Sequence, residues 1–166
     1  MPQYTPDGLT KVTWVLAIGD PDFPGVTELE LGVDLECFLT KDGLNVTFNE
    51  QSVASGVLCE KFDRTRAGTF GLQAELKMYR HNEGDTADVD TAWNTFNHGD
   101  EGYLVVRRGV DLEDQPDYEA GDKVEVYVVE SGNKRPSPTA GNENETFMVS
   151  FYGSAAPHLD AVVAAS

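Results

Sequence analysis

Positive charge is scarce in this chain. Twelve lysines and arginines stand against 29 aspartates and glutamates, giving a formal charge of −17 and a pI near 4.3. Duplex DNA carries one negative charge per ~1.7 Å of its axis, so a surface this acidic repels it, and specific binding through a basic patch is excluded. The plain consequence of the charge is solubility; the sharper one is a surface past which DNA moves without sticking. Composition alone does not choose between them. Cysteine is nearly as rare. Cys37 and Cys59 form no CxxC and no zinc spacing, and they are expected to be buried free thiols rather than a disulfide. No apolar run approaches the roughly 18–20 residues that cross a bilayer, so no membrane partner is expected. The first residues lack the basic end and apolar stretch of a secretory signal, which leads to an expected cytoplasmic origin.

Catalytic and ligand motifs are missing as well. There is no GxSxG elbow, HExxH helix, P-loop or GxGxxG fingerprint. His81, His98 and His158 are scattered, none with a histidine or cysteine at ligand spacing, and read as ordinary surface or turn residues. The acidic run from Asp85 to Asp90 fails as a calcium loop. Val89 takes its fifth position, Asp90 replaces the glycine at the sixth, and Phe96 stands where the closing glutamate belongs. Helix capping and solvation explain that run instead. Asn45-Val46-Thr47 and Asn144-Glu145-Thr146 match a glycosylation sequon that is common by chance. Glu113 and Asp114 have only Leu112 as an apolar neighbour in sequence, too little to shift a carboxyl pKa strongly. No catalytic residue, metal ligand or cofactor site is assigned, and the chain is not expected to be an enzyme.

What is present is periodicity of two. Over residues 69–80, Phe70, Leu72, Ala74, Leu76 and Met78 fall on one face, with Gly71, Gln73, Glu75, Lys77 and Tyr79 on the other. Such alternation marks a strand with one face buried and one in water. Residues 10–18, 44–48, 102–108, 123–130 and 146–152 read as further strands, separated by turn formers such as Asp42-Gly43. One helix is predicted at about 88–97, where Val89, Trp93 and Phe96 make an apolar stripe, with Asp85 and Asp88 at its start and Gly99 at its exit. Trp93 reads as a packing anchor. Residues 29–39 are ambiguous, 131–144 form a Gly/Asn/Pro/Ser-rich loop, and 51–68 form a long loop without clean periodicity. The predicted fold is mainly β (α+β): two packed antiparallel sheets, as a sandwich or partly closed barrel, with one flanking helix. Residues 1–166 are expected to form one domain, ending in a short C-terminal arm at about 157–166.

Arg107 and Arg108 are adjacent on a strand and point to opposite faces. In so acidic a chain at least one is expected to meet a carboxylate, in its own subunit or in the next.

The succession of segments resembles the major tail proteins, or tail tube proteins, of long, non-contractile-tailed bacteriophages. The likeness is carried by Val33-Asp34-Leu35-Glu36-Cys37-Phe38-Leu39-Thr40 with Lys41-Asp42-Gly43-Leu44-Asn45-Val46-Thr47-Phe48, and by Leu58-Cys59-Glu60. Glu101-Gly102-Tyr103-Leu104-Val105-Val106-Arg107-Arg108-Gly109, Ala120-Gly121-Asp122-Lys123-Val124-Glu125-Val126-Tyr127 and Leu159-Asp160-Ala161-Val162-Val163-Ala164 complete it. The resemblance implies a structural virion protein. Such proteins form hexameric rings that stack into a tube for genome passage, with one sheet of each copy lining the channel and loops and arms holding rings together. It implies self-association, tape-measure and other tail proteins as partners, transient non-specific passage of DNA, and a place in the virion tail after synthesis in the host cytoplasm. On that basis Gln73, Glu75, Glu125 and Tyr127 are candidates for a negatively charged channel wall. Phe62, Arg64, Arg66, Arg107, Arg108, Val162 and Val163 are candidates for contacts between subunits. Two other readings stay open: a stand-alone acidic β-sandwich that binds a glycan or calcium through residues 20–22 and 111–117, and a tube protein of a bacterial secretion system.

Overall fold

A computed structural model describes residues 2–81, 90–138 and 140–165. The elements are β1 (Thr10–Val15), α1 (Val26–Glu30), β2 (Val33–Asp34), β3 (Leu39–Ala54), β4 (Thr65–Tyr79), α2 (Thr91–Thr95), β5 (Glu101–Arg108), β6 (Lys123–Pro136), β7 (Thr146–Gly153) and β8 (His158–Val162). Every strand pairing is antiparallel. The order is β2-β1-β5-β6-β7-β4-β3, with β8 also on β6, in one open eight-stranded sheet.

That sheet behaves as two because β6 belongs to both halves. Its first part pairs with β5 and β8, and its last part with β7 from Val129 to Pro136. The register slips between Ser131 and Lys134, where a bulge lets the strand turn from one half to the other. A Cβ at Gly132 would lie 2.9 Å from the Ser150 carbonyl oxygen, so the bend requires glycine. Residues 131–136 are therefore strand, where composition alone predicts a loop.

The halves pack face to face around Trp14, Leu104 and Val106 on one side and Ala74, Leu76, Met78, Phe147, Val149 and Phe151 on the other. Trp14, Phe96 and Phe151 form an aromatic triangle with centroids 5.2–5.4 Å apart. Gly102 makes room for it, since a Cβ there would sit 2.6 Å from the Trp14 ring.

The β1-β5-β6 half is covered on its other face too. Val15, Val105, Val124 and Val126 meet Leu29 of α1, Tyr118, Ala161 of β8 and Val163. Burial on both faces is why residues 104–106 and 124–129 are nearly continuous in apolar residues, whereas β4, covered on one face, alternates.

Several expectations change. The helix expected at 88–97 is the single turn α2. Phe96 follows it in extended backbone and is buried, and Trp93 stacks edge-on to Phe147 at 5.1 Å. Val89, Asp85 and Asp88 lie outside the described residues. A second short helix, α1, runs into the start of the ambiguous 29–39 stretch, which then holds β2 and the first residue of β3. The 51–68 loop shrinks to residues 55–64, because 51–54 and 65–68 extend a hairpin. The C-terminal arm is a docked strand: β8 pairs with β6, and Ala164 bridges in parallel to Gly25. Both cysteines are free, as expected, but exposed rather than buried.

Candidate assembly surfaces

The most prominent surface feature is the hairpin of β3 and β4. β4 pairs with β7 only from Gln73 to Tyr79, so the segment from Thr65 to Leu72 has β3 as its sole partner. At 3.2–3.4 Å per residue, this two-stranded ribbon extends roughly 25 Å beyond the sheet. Pairing holds from Phe48↔Leu72 to Ala54↔Thr65, with a slip between Glu50 and Ser52. Along it and at its tip Phe48, Val53, Val57, Leu58, Phe62 and Phe70 are all exposed, Leu58 fully and Phe62 at 77%. An isolated two-stranded hairpin is at best marginally stable in water.

Phe70 is thus on the ribbon and 52% exposed, although the alternation of β4 places it with the core residues. The alternation itself is real. What changes is that the opposing half-sheet ends before it reaches Phe70, and burial begins fully only at Ala74. Phe62 and Arg66 are exposed on the same projection. Arg64 is exposed and pairs with Glu60 at 2.6 Å, a contact within the tip. Among the described residues Lys61 and Arg66 have no ion-pair partner.

The outer face of the β3-β4-β7 half is polar. Thr47, Gln73, Tyr152 and Glu130 lie in one row across the strands, and Asn45, Glu75 and Ser150 in the next. Lys77, Met148 and Arg135 form a third row, with Arg135 3.9 Å from Glu75. Gln73 is exposed and Glu75 half-buried, so these channel-wall candidates share an accessible face.

The other candidates are placed differently. Tyr127 is 3% exposed in the sandwich interior and donates its hydroxyl to Glu125 Oε2 at 2.8 Å, so its ring packs inside the subunit. Burial, with the Glu125 hydrogen bond and charge, pushes its pKa up. Glu125 is half-buried and also accepts from Arg108 Nε at 3.2 Å. Arg108 therefore meets its carboxylate inside the subunit. So does Arg107, which is 1% exposed. Its guanidinium donates to the carbonyls of Gln115 at 2.6 Å and Asp117 at 2.7 Å and to Asp122 Oδ2 at 3.3 Å. Buried in this way, Arg107 anchors the 111–122 loop to β5. Val163 is likewise core, while Val162 is half-buried on β8. Sequence could not separate these cases, because an arginine that closes its own loop and one that reaches a neighbour look alike.

A second buried polar cluster fastens β1. Lys11, 3% exposed, lies 3.2 Å from Asp34 and 3.0 Å from Glu36. Thr13 Oγ1 donates to Asp34 at 2.9 Å and bonds the Tyr118 hydroxyl at 2.8 Å. Burial raises the Tyr118 pKa. Asp90, fully buried, accepts from Arg80 Nε at 2.6 Å and from the His81 amide at 3.1 Å. Two of the three histidines have structural settings: His81 meets Phe38 edge-on at 5.0 Å, and His158 lies 2.7 Å from Asp22.

Sequence reasoning missed one surface. Leu16 and Leu31 are 71% and 84% exposed and line a groove of about 480 Å³ with Ala17 and Val33, bordered by Glu28. The signal available for it was Leu16 and Leu31 flanking an acidic turn.

Fold and surface define the class: a mainly β protein whose distinguishing features are a projecting apolar ribbon, open strand edges and a polar sheet face. The chain belongs to the phage tail tube protein family, whose model matches residues 1–166. It is a structural tail protein, and the role of such a protein is that of a building block. Among solved structures, a chain in the cryo-EM structure of the anti-feeding prophage baseplate, 6-fold symmetrised, has the same fold. The TM-score is 0.52 at 11% identity, covering 95% of this chain and 97% of that one. No curated protein matches the sequence significantly.

Proposed function

We propose that this protein is a tail tube subunit that forms hexameric rings stacked around a channel through which the genome passes, with no catalytic step of its own. The observation that carries the reading is the ribbon. A solitary soluble protein rarely presents so many exposed apolar side chains, Val53, Val57, Leu58, Phe62 and Phe70, on one projection. Neighbouring copies would cover them and supply the large area of an obligate interface, roughly 2,000 Å² or more. The terminal position of β3 in the sheet order supports pairing across subunits, since an unpaired edge invites another strand. The six-fold symmetry of the baseplate structure, a property of that assembly, supports six as the number.

Gln73 and Glu75 are the proposed channel-facing pair. Lys77 and Arg135 offset Glu75 and Glu130 on that face, so the negative field of the bore comes from the acid excess of the whole subunit. Screening limits its reach to roughly 8 Å at physiological salt, which suits a non-stick lining. Tape-measure and other tail proteins are the proposed partners at the tube ends.

Purified protein should form rings or tubes more readily as salt rises, because screening weakens repulsion between subunits of charge −17. Electron microscopy and light scattering across salt and concentration read this out. Monomers throughout would refute the proposal. The anti-feeding prophage likeness favours one second reading, a tube protein of a bacterial injection or secretion apparatus. The genes adjacent to this one, with or without a tape-measure protein and tail chaperones, separate the two.

A further inference from the structure

The ribbon tip and the Leu16–Leu31 groove are complementary in both apolarity and charge. The tip is one of the few places where this acidic chain concentrates base: Lys61, Arg64 and Arg66 lie within residues 55–66, against Glu60 and Asp63. Lys61 and Arg66 have no ion-pair partner among the described residues. Beside them stand Val57, Leu58 and Phe62, all more than half exposed. The groove is the converse. Its lining is mostly apolar, including Leu16, Ala17, Leu31 and Val33, with Glu28 the acidic residue among them. Around it, residues 16–31 carry Asp20, Asp22, Glu28 and Glu30 with no lysine or arginine.

We propose that the ribbon tip of one copy seats in this groove of a second copy, Leu58 and Phe62 against Leu16 and Leu31, with the tip's free cations facing the acidic border. The inference rests on the self-assembly proposed above and names the acceptor surface. Donor and acceptor are different patches of the same chain, so the contact is heterologous. Such contacts propagate head to tail and either close a ring or run on without end, and a tube of stacked rings needs contacts of this kind. Charge of opposite sign at the two patches sets the register and disfavours tip-to-tip pairing, where cations would face cations. The groove volume of about 480 Å³ leaves room for an aromatic side chain.

A thiol placed in the groove tests the contact directly, because Cys59 already sits at the tip and is exposed. In a Cys37→Ser background, Leu31→Cys or, as a second position, Ala17→Cys gives each copy one thiol on each side of the proposed contact. Leu159→Cys on β8, 48% exposed and outside the groove, is the control. Assembled protein is treated with a short bis-maleimide and run on a denaturing gel. The expected result is loss of most of the monomer band into a covalent ladder for either groove position, with the control remaining monomeric. Assemblies that form normally but give no ladder from both groove positions overturn the groove as acceptor and leave self-assembly standing. A ladder of equal strength from the control overturns it as well. Failure of the unsubstituted protein to assemble at any salt removes both this contact and the tube proposal.

Discussion

Arg107→Met separates a residue that holds a subunit together from one that joins two subunits. The side chain is 1% exposed, and its guanidinium makes three hydrogen bonds, to Gln115 O, Asp117 O and Asp122 Oδ2. Methionine replaces much of the aliphatic stem but none of the donors. The Gln115 and Asp117 carbonyls lose the charged donor, while Asp122 keeps Gln115 Nε2 at 2.8 Å and the Glu119 amide at 2.9 Å. Hydrogen bonds to a charged group are worth about 1.5–3 kcal/mol each. Because they act as a unit and Asp122 stays partly satisfied, the sum is not additive. Removing one partner of a buried pair costs about 3–5 kcal/mol, which is the expected loss here. At about 2–4 °C per kcal/mol for a chain of this size, the melting temperature falls by roughly 6–20 °C. Urea unfolding at low salt, where mutual repulsion keeps the chain monomeric, measures it. An Arg107→Met monomer that unfolds like the parent but no longer assembles would refute the buried-anchor assignment and return Arg107 to the interface.

Phe70→Asp is expected to leave the isolated subunit folded, with a change below about 0.5 kcal/mol as for other exposed sites, whereas Leu76→Asp should abolish folding by burying an unpaired charge. Circular dichroism melts of the two variants compare them, and an unfolded Phe70→Asp would place Phe70 in the core. Tyr118 predicts an alkaline effect. Its folded pKa lies above the ordinary value of 10, so above pH 10 the unfolded chain releases a proton that the folded chain retains. This contribution is constant below pH 10 and is lost as pH rises further, by about 1.4 kcal/mol per unit for each such tyrosine. Tyr127 behaves alike, so Tyr118→Phe should halve the tyrosine-linked slope in urea unfolding above pH 10, and an unchanged slope would contradict it.

The legibility of this chain follows its pattern of burial. β4 could be read because one of its faces is covered and the other wet, which writes a period of two into the residues. The core positions Ala74, Leu76 and Met78 follow from that alone, as does the mainly β class. β6 was legible only to about residue 130, since Ser131, Gly132 and Asn133 look like loop. They continue as strand because a bulge there carries the chain between the two half-sheets. α2 was overextended because the stripe of Trp93 and Phe96 fits a helix, while the packing of Phe96 against Trp14 holds it in extended backbone.

The candidate sites divide in the same way. Gln73, Phe62 and Arg66 are exposed and Glu75 is half-buried on an accessible sheet face. Tyr127 and Val163 are buried by elements distant in sequence, the facing half-sheet and α1, and Arg107 is buried because the 111–122 loop that follows it folds back over its guanidinium.

Local alternation and charge, both properties of neighbouring residues, were enough to determine a β scaffold, its central core face and its anionic character. Which apolar residues remain uncovered was decided only by the tertiary structure. Phe70 is exposed because the opposing half-sheet stops short of it, and Leu58, Leu16 and Leu31 are exposed as well. No short stretch of sequence records the extent of a surface that another part of the chain must cover.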